Sequence, residues 1–244
     1  DRGLPLALLA GGSNTIVPDE GFRGLVLSIE TTGHTLTPMD DGRVALQVKA
    51  GTPWPEVVSL SVAQGLAGLE CLAGIPGSTG ATPVQNVGAY GQDVADTLVA
   101  VRALDRSTLD EVTFTRDACA FAYRDSLFKR DPHRYVVLSV TFALTPGGAP
   151  AVRYAELERA IAVLCPKGQP SLQQVHDTVI ALRRAKGMVL DPSDVDTHSA
   201  GSFFTNPIVS AEAAEQVRER ALVAGLVSAK HEVPSWTESE GRVK

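Results

Sequence analysis

The residues best suited to hold a ligand lie between Gly65 and Gly91, in the stretch GLAGLECLAGIPGSTGATPVQNVGAYG. Gly74, Gly77, Gly80, Gly88 and Gly91 recur every few positions, with Pro76 and Pro83 set between them. Lacking a Cβ, glycine lets backbone N–H groups turn toward an anion and approach it closely. Proline fixes φ and lowers the entropy cost of keeping one loop shape. Ser78, Thr79, Thr82, Gln85 and Asn86 add side-chain donors without adding charge. Such a loop suits a diphosphate or the polar edge of a flavin. Glycine spacing taken alone favours the plainer alternative, a turn-rich loop with structural glycines.

Three more positions invite a chemical reading. Gly11-Gly12-Ser13-Asn14 follows an apolar run and would set hydroxyl and amide groups beside the free N–H groups of a tight turn, a second anion-friendly corner. An ordinary strand-to-strand turn is the alternative. Arg124, in FAYRDSLFK, carries a planar fork that can bind both oxygens of a carboxylate and stays charged at any working pH. Its plainer role is a surface pair with Asp125. Ser202, in AGSFFTNPIVS, is a poor acid at neutral pH, able to protonate only an unusually basic acceptor. No His or Asp follows it at a triad spacing and no G-x-S-x-G occurs, so a hydrolase is disfavoured. A strand-edge hydroxyl is the default for such a serine.

The stretch IPGSTGATPVQNVGAYG resembles the flavin-contacting loop of the UDP-N-acetylenolpyruvoylglucosamine reductases, which act in bacterial peptidoglycan precursor synthesis. LAGGSNTIVPDEGFRGLVL, FAYRDSLFK and AGSFFTNPIVS are similar to further segments of that family, in the same order and at approximate spacing. The resemblance implies reduction of the enolpyruvyl ether of UDP-N-acetylglucosamine to the lactyl ether of UDP-N-acetylmuramate. NADPH is the implied reductant, with hydride passing through FAD to the vinyl β-carbon. The implied fold is α+β, an FAD-binding domain of the PCMH/vanillyl-alcohol-oxidase type followed by a smaller substrate-binding domain. FAD binding is carried over onto Gly11, Gly12, Ser13 and Asn14, and onto Gly74, Ile75, Pro76, Gly77, Ser78, Gly80, Ala81, Gln85, Asn86, Gly88, Ala89, Tyr90 and Gly91.

For the chemistry, the resemblance makes Arg124 the clamp on the substrate carboxylate and Ser202 the donor that protonates the α-carbon. Charge building on that carbon and its carboxylate calls for such groups. Tyr123 matches the edge of the substrate pocket and Asn206 a nucleotide-sugar ligand or a support for the serine. Lys186 stands near the place of a UDP-phosphate lysine, allowing a small insertion. Tyr154, in VRYAEL, matches the tyrosine that folds over the diphosphate in the subgroup bearing an extra loop. Arg183 and Arg184 read more simply as cations complementing a helix C-terminus. Thr205 stands where many relatives carry Lys. The family's C-terminal glutamate has no match: Glu232, Glu238 and Glu240 lie upstream of its place. Both ends of the chain read as cut, and weak flavin binding with poor turnover is the expectation for the chain as it stands. Alternatives are another FAD oxidoreductase of the same fold, or a non-catalytic flavin- or nucleotide-sugar-binding fragment. Alcohol and lactone oxidases of that fold often tether flavin through His, and neither glycine-rich turn contains one.

At 244 residues the chain can bury a real core, and 44% apolar with 20% charged residues fits a soluble protein. No apolar run nears the roughly 20 residues a membrane helix needs. A net charge of −6 argues against nucleic acid as partner. Cys71, Cys119 and Cys165 are widely spaced and odd in number, and the five His are scattered, which favours reduced thiols over a disulfide framework or metal site. A cytoplasmic, monomeric bacterial protein without metal or membrane insertion is expected.

The elements that must position these residues are also legible. Leu4 to Leu9, Leu25 to Ile29 and Val44 to Val48 read as strands of one sheet. A helix from about Trp54 to Gln64 should cover it with Trp54, Val57, Val58 and Val62. Thr97 to Leu104 and Leu109 to Phe114 read as a hairpin, and Tyr135 to Leu144 as a strong strand. Thr145 to Pro150 breaks the pattern, suggesting an FAD-binding domain over 1–145 and a helical connection plus substrate domain over 146–244. Helices are expected after the capping box Ser171-Leu-Gln-Gln174 and from Ala211 to Ala224, capped by Ser210.

Overall fold

The chain runs β1 (Leu6–Leu9), β2 (Leu25–Ser28), β3 (His34–Pro38), β4 (Val44–Lys49), α1 (Trp54–Ala63), β5 (Leu66–Ala67), β6 (Gly88–Ala89) and β7 (Gln92–Asp93). It continues through β8 (Leu98–Asp105), β9 (Glu111–Thr115), α2 (Leu127–Arg130), β10 (Tyr135–Pro146), α3 (Ala155–Leu164) and α4 (Leu172–Arg184). The last elements are β11 (Val209–Ser210), α5 (Ala211–Val223), β12 (Thr237–Ser239) and β13 (Arg242–Val243). This is a computed structural model that describes residues 3–197, 204–239 and 241–244. The described chain forms two compact units, Asp1–Ala200 and Gly201–Lys244.

The first unit is organised on β10. Its run YVVLSVTFALTP is β-branched and aromatic on both faces, as a strand covered on both sides requires. It pairs antiparallel with β4 and with β8, giving the order β3-β4-β10-β8-β9, and β5 adds to its far end. Val140, Phe142 and Leu144 are fully buried. Helix α1 packs Trp54, Val57 and Val58 into the core with this sheet, Trp54 meeting Phe142 at 5.6 Å between ring centroids, while Val62 joins a smaller cluster with Ala67 and Leu172. Truncating either ring in such a core costs about 3–5 kcal/mol. Helix α4 starts at the expected capping box, Ser171 Oγ accepting from Gln174 N and Gln174 Oε1 from Ser171 N. It then buries Val175 and Val179 completely.

One expectation changes. Leu25–Ser28 does not share a sheet with Val44–Lys49; it pairs in parallel with Leu6–Leu9 as a separate two-stranded sheet. The second neighbour of β4, beside β10, is instead His34–Pro38, a short exposed strand. The described chain packs as compact units that divide at 200/201, so the segment after 145 stays with the first unit. The reason is that β10 runs on through Pro146 to pair with β5, and α3 and α4 then bury Leu157, Ile161, Val175 and Val179 against the same core.

The β8–β9 hairpin is closed by a charged turn. Asp105 Oδ1 accepts from Ser107 N at 2.9 Å and Ser107 Oγ at 2.6 Å, and its Oδ2 from Arg134 Nε at 3.0 Å. Ser107 and then Arg134 hold the Asp105 carboxyl down to about 2, from an ordinary value of 3.8. A depressed carboxylate contributes stability that is present above the unfolded value and lost as pH falls through the folded one. Asp105→Asn should therefore flatten the loss of thermal stability between about pH 4 and about pH 2. Melting curves with equal acid slopes for the two proteins would contradict this.

In the second unit, β11, β13 and β12 form a small antiparallel sheet beside α5. Ser210 caps that helix by accepting from Ala213 N.

Candidate functional site

Two turns meet first. The chain leaves β1 at Gly11, so close to the long loop that a Cβ there would sit 3.0 Å from Gly77 Cα and 3.7 Å from Ser78 N. Gly77 has φ +113, and a Cβ on it would lie 3.1 Å from Ser13 Oγ. Asn14 Nδ2 reaches Gln85 Oε1 at 3.4 Å. The loop is fixed from below by backbone bonds from Trp54 N to Gly77 O (2.9 Å), Thr79 N to Thr52 O (2.9 Å) and Gly80 N to Ala50 O (2.8 Å). Buried Ser78 Oγ has no hydrogen-bond partner among the described residues. Juxtaposed turns, an approach that a side chain on Gly11 would crowd and an orphaned hydroxyl make a donor-lined cradle that fits an anionic cofactor segment.

The carboxylate clamp comes next. Arg124 sits in a tight turn, with Ala122 N bonded to Asp125 O and Asp125 N to Ala122 O. Its φ is +54, a left-handed conformation uncommon for arginine. One guanidinium N–H, from Nη2, donates to Gly88 O at 2.8 Å, so the fork is tied to the glycine loop. Lys129 Nζ binds the Arg124 carbonyl at 2.7 Å. The alternative pairing is not formed: Asp125 bonds to Arg130 at 3.0 Å. Tyr123 lies alongside, its ring centroid 5.8 Å from Arg124 Cζ. Asn86 bridges the two stretches, Nδ2 donating to Ala122 O and Oδ1 accepting from Ala95 N, each at 3.2 Å. Its side chain is thus spent on the scaffold, and a ligand would meet its backbone.

A third group forms a corner. The rings of Tyr90 and Tyr154 meet edge to face at 5.6 Å. Lys186 Nζ lies 5.8 Å from the Tyr90 centroid and bonds to Glu156 Oε2 at 2.6 Å. That bond raises the lysine pKa, while burial raises the Tyr90 phenol against the lowering effect of Lys186. Lys186 therefore remains a cation. Arg183 turns inward as well. Its Nη2 donates to Met188 O at 3.1 Å, and its buried Nε has no partner among the described residues. Helix-end charge complementation does not account for that placement. No sequence signal marks that placement, since the helix ends at Arg184 and Lys186 lies in the turn that follows it. Glu156 was missed too, though it stands two residues after Tyr154.

Ser202 and Glu240 lie outside the described residues. Asn206 is exposed in the second unit, and Glu232 there accepts from Ser228 N at 2.8 Å. Among the described residues no three His, Cys, Asp or Glu side chains gather as for a metal, and no helix is long and apolar enough to cross a membrane.

With an α+β fold and two abutting glycine turns, the first unit has the features of a flavin-binding domain. The sequence model of an FAD binding domain matches residues 1–108. The chain is 50% identical over its whole length to the UDP-N-acetylenolpyruvoylglucosamine reductase of Streptomyces coelicolor, covering 62% of that protein. It is 47% identical to the enzyme of that name from Thermobifida fusca, with 99% of this chain and 67% of that one aligned. Among solved structures, UDP-N-acetylenolpyruvylglucosamine reductase from Thermus caldophilus matches with a TM-score of 0.55 and 25% identity, over 91% of this chain and 68% of that one. The chain belongs to the UDP-N-acetylenolpyruvoylglucosamine reductase family. It spans less than two thirds of the length of the Streptomyces relative.

Proposed function

We propose that this chain carries out the FAD-dependent reduction of UDP-N-acetylglucosamine enolpyruvate to UDP-N-acetylmuramate with NADPH, in peptidoglycan precursor synthesis. The observation that carries the reading is the bond from Arg124 to Gly88, which fastens a carboxylate-binding fork to the cofactor loop. Gly11 to Asn14 and Gly74 to Gly91 would hold FAD, which when bound supplies the hydride-transfer chemistry. Arg124 binds the carboxylate of the enolpyruvyl group and stabilises the charge that grows there. Ser202 delivers a proton to the α-carbon, with Tyr123 at the pocket edge. Tyr154, Lys186 and Asn206 hold the nucleotide sugar, the lysine through its charge on the diphosphate. The FAD-binding domain is assigned to 1–145, with 146–200 as a connection packed on it and substrate binding completed beyond. A monomer in the bacterial cytoplasm, acting on a small molecule rather than nucleic acid, is the setting this implies.

The test is anaerobic. The protein is loaded with FAD, bleached with NADPH and then mixed with enolpyruvyl-UDP-N-acetylglucosamine while flavin absorbance is followed. Return of the oxidised band is expected. Absorbance that bleaches and then stays low would favour a binding fragment or a different electron acceptor.

A further inference from the structure

Glu70 is buried to 1% exposure and forms no ion pair among the described residues. A carboxylate so placed is tolerated only when hydrogen bonds satisfy its oxygens. Here Oε2 accepts from Gly68 N at 2.7 Å, and Oε1 from Ala151 N at 2.7 Å and Gln92 Nε2 at 3.5 Å. Gln92 Oε1 in turn accepts from Cys71 N at 3.0 Å, and Cys71 Sγ donates to Ala151 O at 2.9 Å. The circuit joins three stretches far apart in sequence. Residues 68–71 lead into the glycine loop, Gln92 leads out of it just after Tyr90, and Ala151 leads into Tyr154. Every group facing the carboxylate is a donor, so an amide in its place would set its own NH₂ against a backbone N–H.

We propose that Glu70 is a positioning residue: by clamping the exit of the glycine loop to the Ala151 segment it sets Tyr90 against Tyr154 and so shapes the Lys186 corner for a nucleoside diphosphate. The assignment of that corner to a diphosphate rests on the function proposed above; the clamp itself does not. An apolar side chain at this place would leave the N–H groups of Gly68 and Ala151 without their acceptor, so the clamp depends on the carboxylate.

The experiment separates the two parts. The four tyrosines of the chain are labelled as 3-fluorotyrosine and assigned by single Tyr→Phe variants. In Glu70→Gln the ¹⁹F resonances of Tyr90 and Tyr154 are expected to shift or broaden. That of Tyr135, packed between Phe114 and Phe128, should hold still and report an intact core. Affinity for UDP should fall about tenfold, as a small misplacement of a binding group would cause. In a Tyr154→Ala background the same change should cost no further affinity. Gln92→Met, which removes the weakest donor to Glu70 together with the acceptor of Cys71 N, should move the same two resonances less, and it carries the test if Glu70→Gln does not fold. Unmoved Tyr90 and Tyr154 resonances in a folded variant overturn the clamp. Resonances that move in a protein with no affinity for UDP support the clamp and reject the diphosphate reading.

Discussion

Arg124→Ala is expected to slow the return of oxidised flavin absorbance on adding enolpyruvyl substrate by about 10²–10³-fold, the usual loss when a group stabilising developing charge is removed. Bleaching by NADPH should change by less than about fivefold, because the clamp acts on a carboxylate that NADPH does not present. Arg124→Lys keeps the charge without the planar fork and should fall between. The backbone supplies a control. Arg124 has φ +54, so alanine inherits the same left-handed strain while glycine relieves roughly 1–2 kcal/mol of it. Arg124→Gly should therefore melt above Arg124→Ala yet react as slowly. Substrate-driven rates equal to wild type in both variants would remove the clamp from the proposal.

Local signals were the legible ones. Ser171 with Gln174, and Ser210 ahead of Ala211, marked helix starts because a cap is a bond between neighbours in sequence. Tyr135 to Leu144 announced itself because a strand buried on both faces must be apolar throughout. Sheet membership was not legible, since the pairing of Leu6 with Leu25 or of Leu36 with Leu46 depends on long-range packing that alternation does not encode. Behind the breaker Thr145 to Pro150 the sequence indicates a helical connection but not the bounds of α3, and the breaker reads as a boundary although β10 and Ala151 both stay on the core.

The site divides in the same way. Glycine turns and the YRDS motif could be found from composition and resemblance, but not what their side chains bond to. Asp125 next to Arg124 looks like its partner in one dimension, whereas the turn aims Asp125 at Arg130 and Arg124 at Gly88. Asn86 reads as a ligand donor, and the sequence does not show that its side chain also cross-links Ala122 and Ala95. Arg183 reads as a surface cation at a helix end, yet burial lowers its pKa and leaves its Nε facing the loop side of α4 near Gly74. In each case the missing information is the direction of a side chain, which only the assembled fold decides.

The close approach of the two glycine turns makes the strongest claim about cofactor binding. In Gly11→Ala the new methyl would meet only backbone, with Gly77 Cα at 3.0 Å and Gly77 C at 3.4 Å, and backbone cannot rotate aside as a side chain can. The turns must separate, taking Ser13 and Ser78 out of register. Loss of two hydrogen bonds at about 1.4 kcal/mol each weakens FAD binding about a hundredfold. Gly12→Ala is the comparison: no heavy atom lies within 4 Å of its would-be Cβ, and the penalty is the left-handed φ of +70 alone. That strain of roughly 1–2 kcal/mol should appear in the melting temperature more than in affinity. Titrating FAD into both variants by flavin fluorescence decides the matter. A larger loss of affinity in Gly12→Ala than in Gly11→Ala would mean that the turns do not act as one cradle.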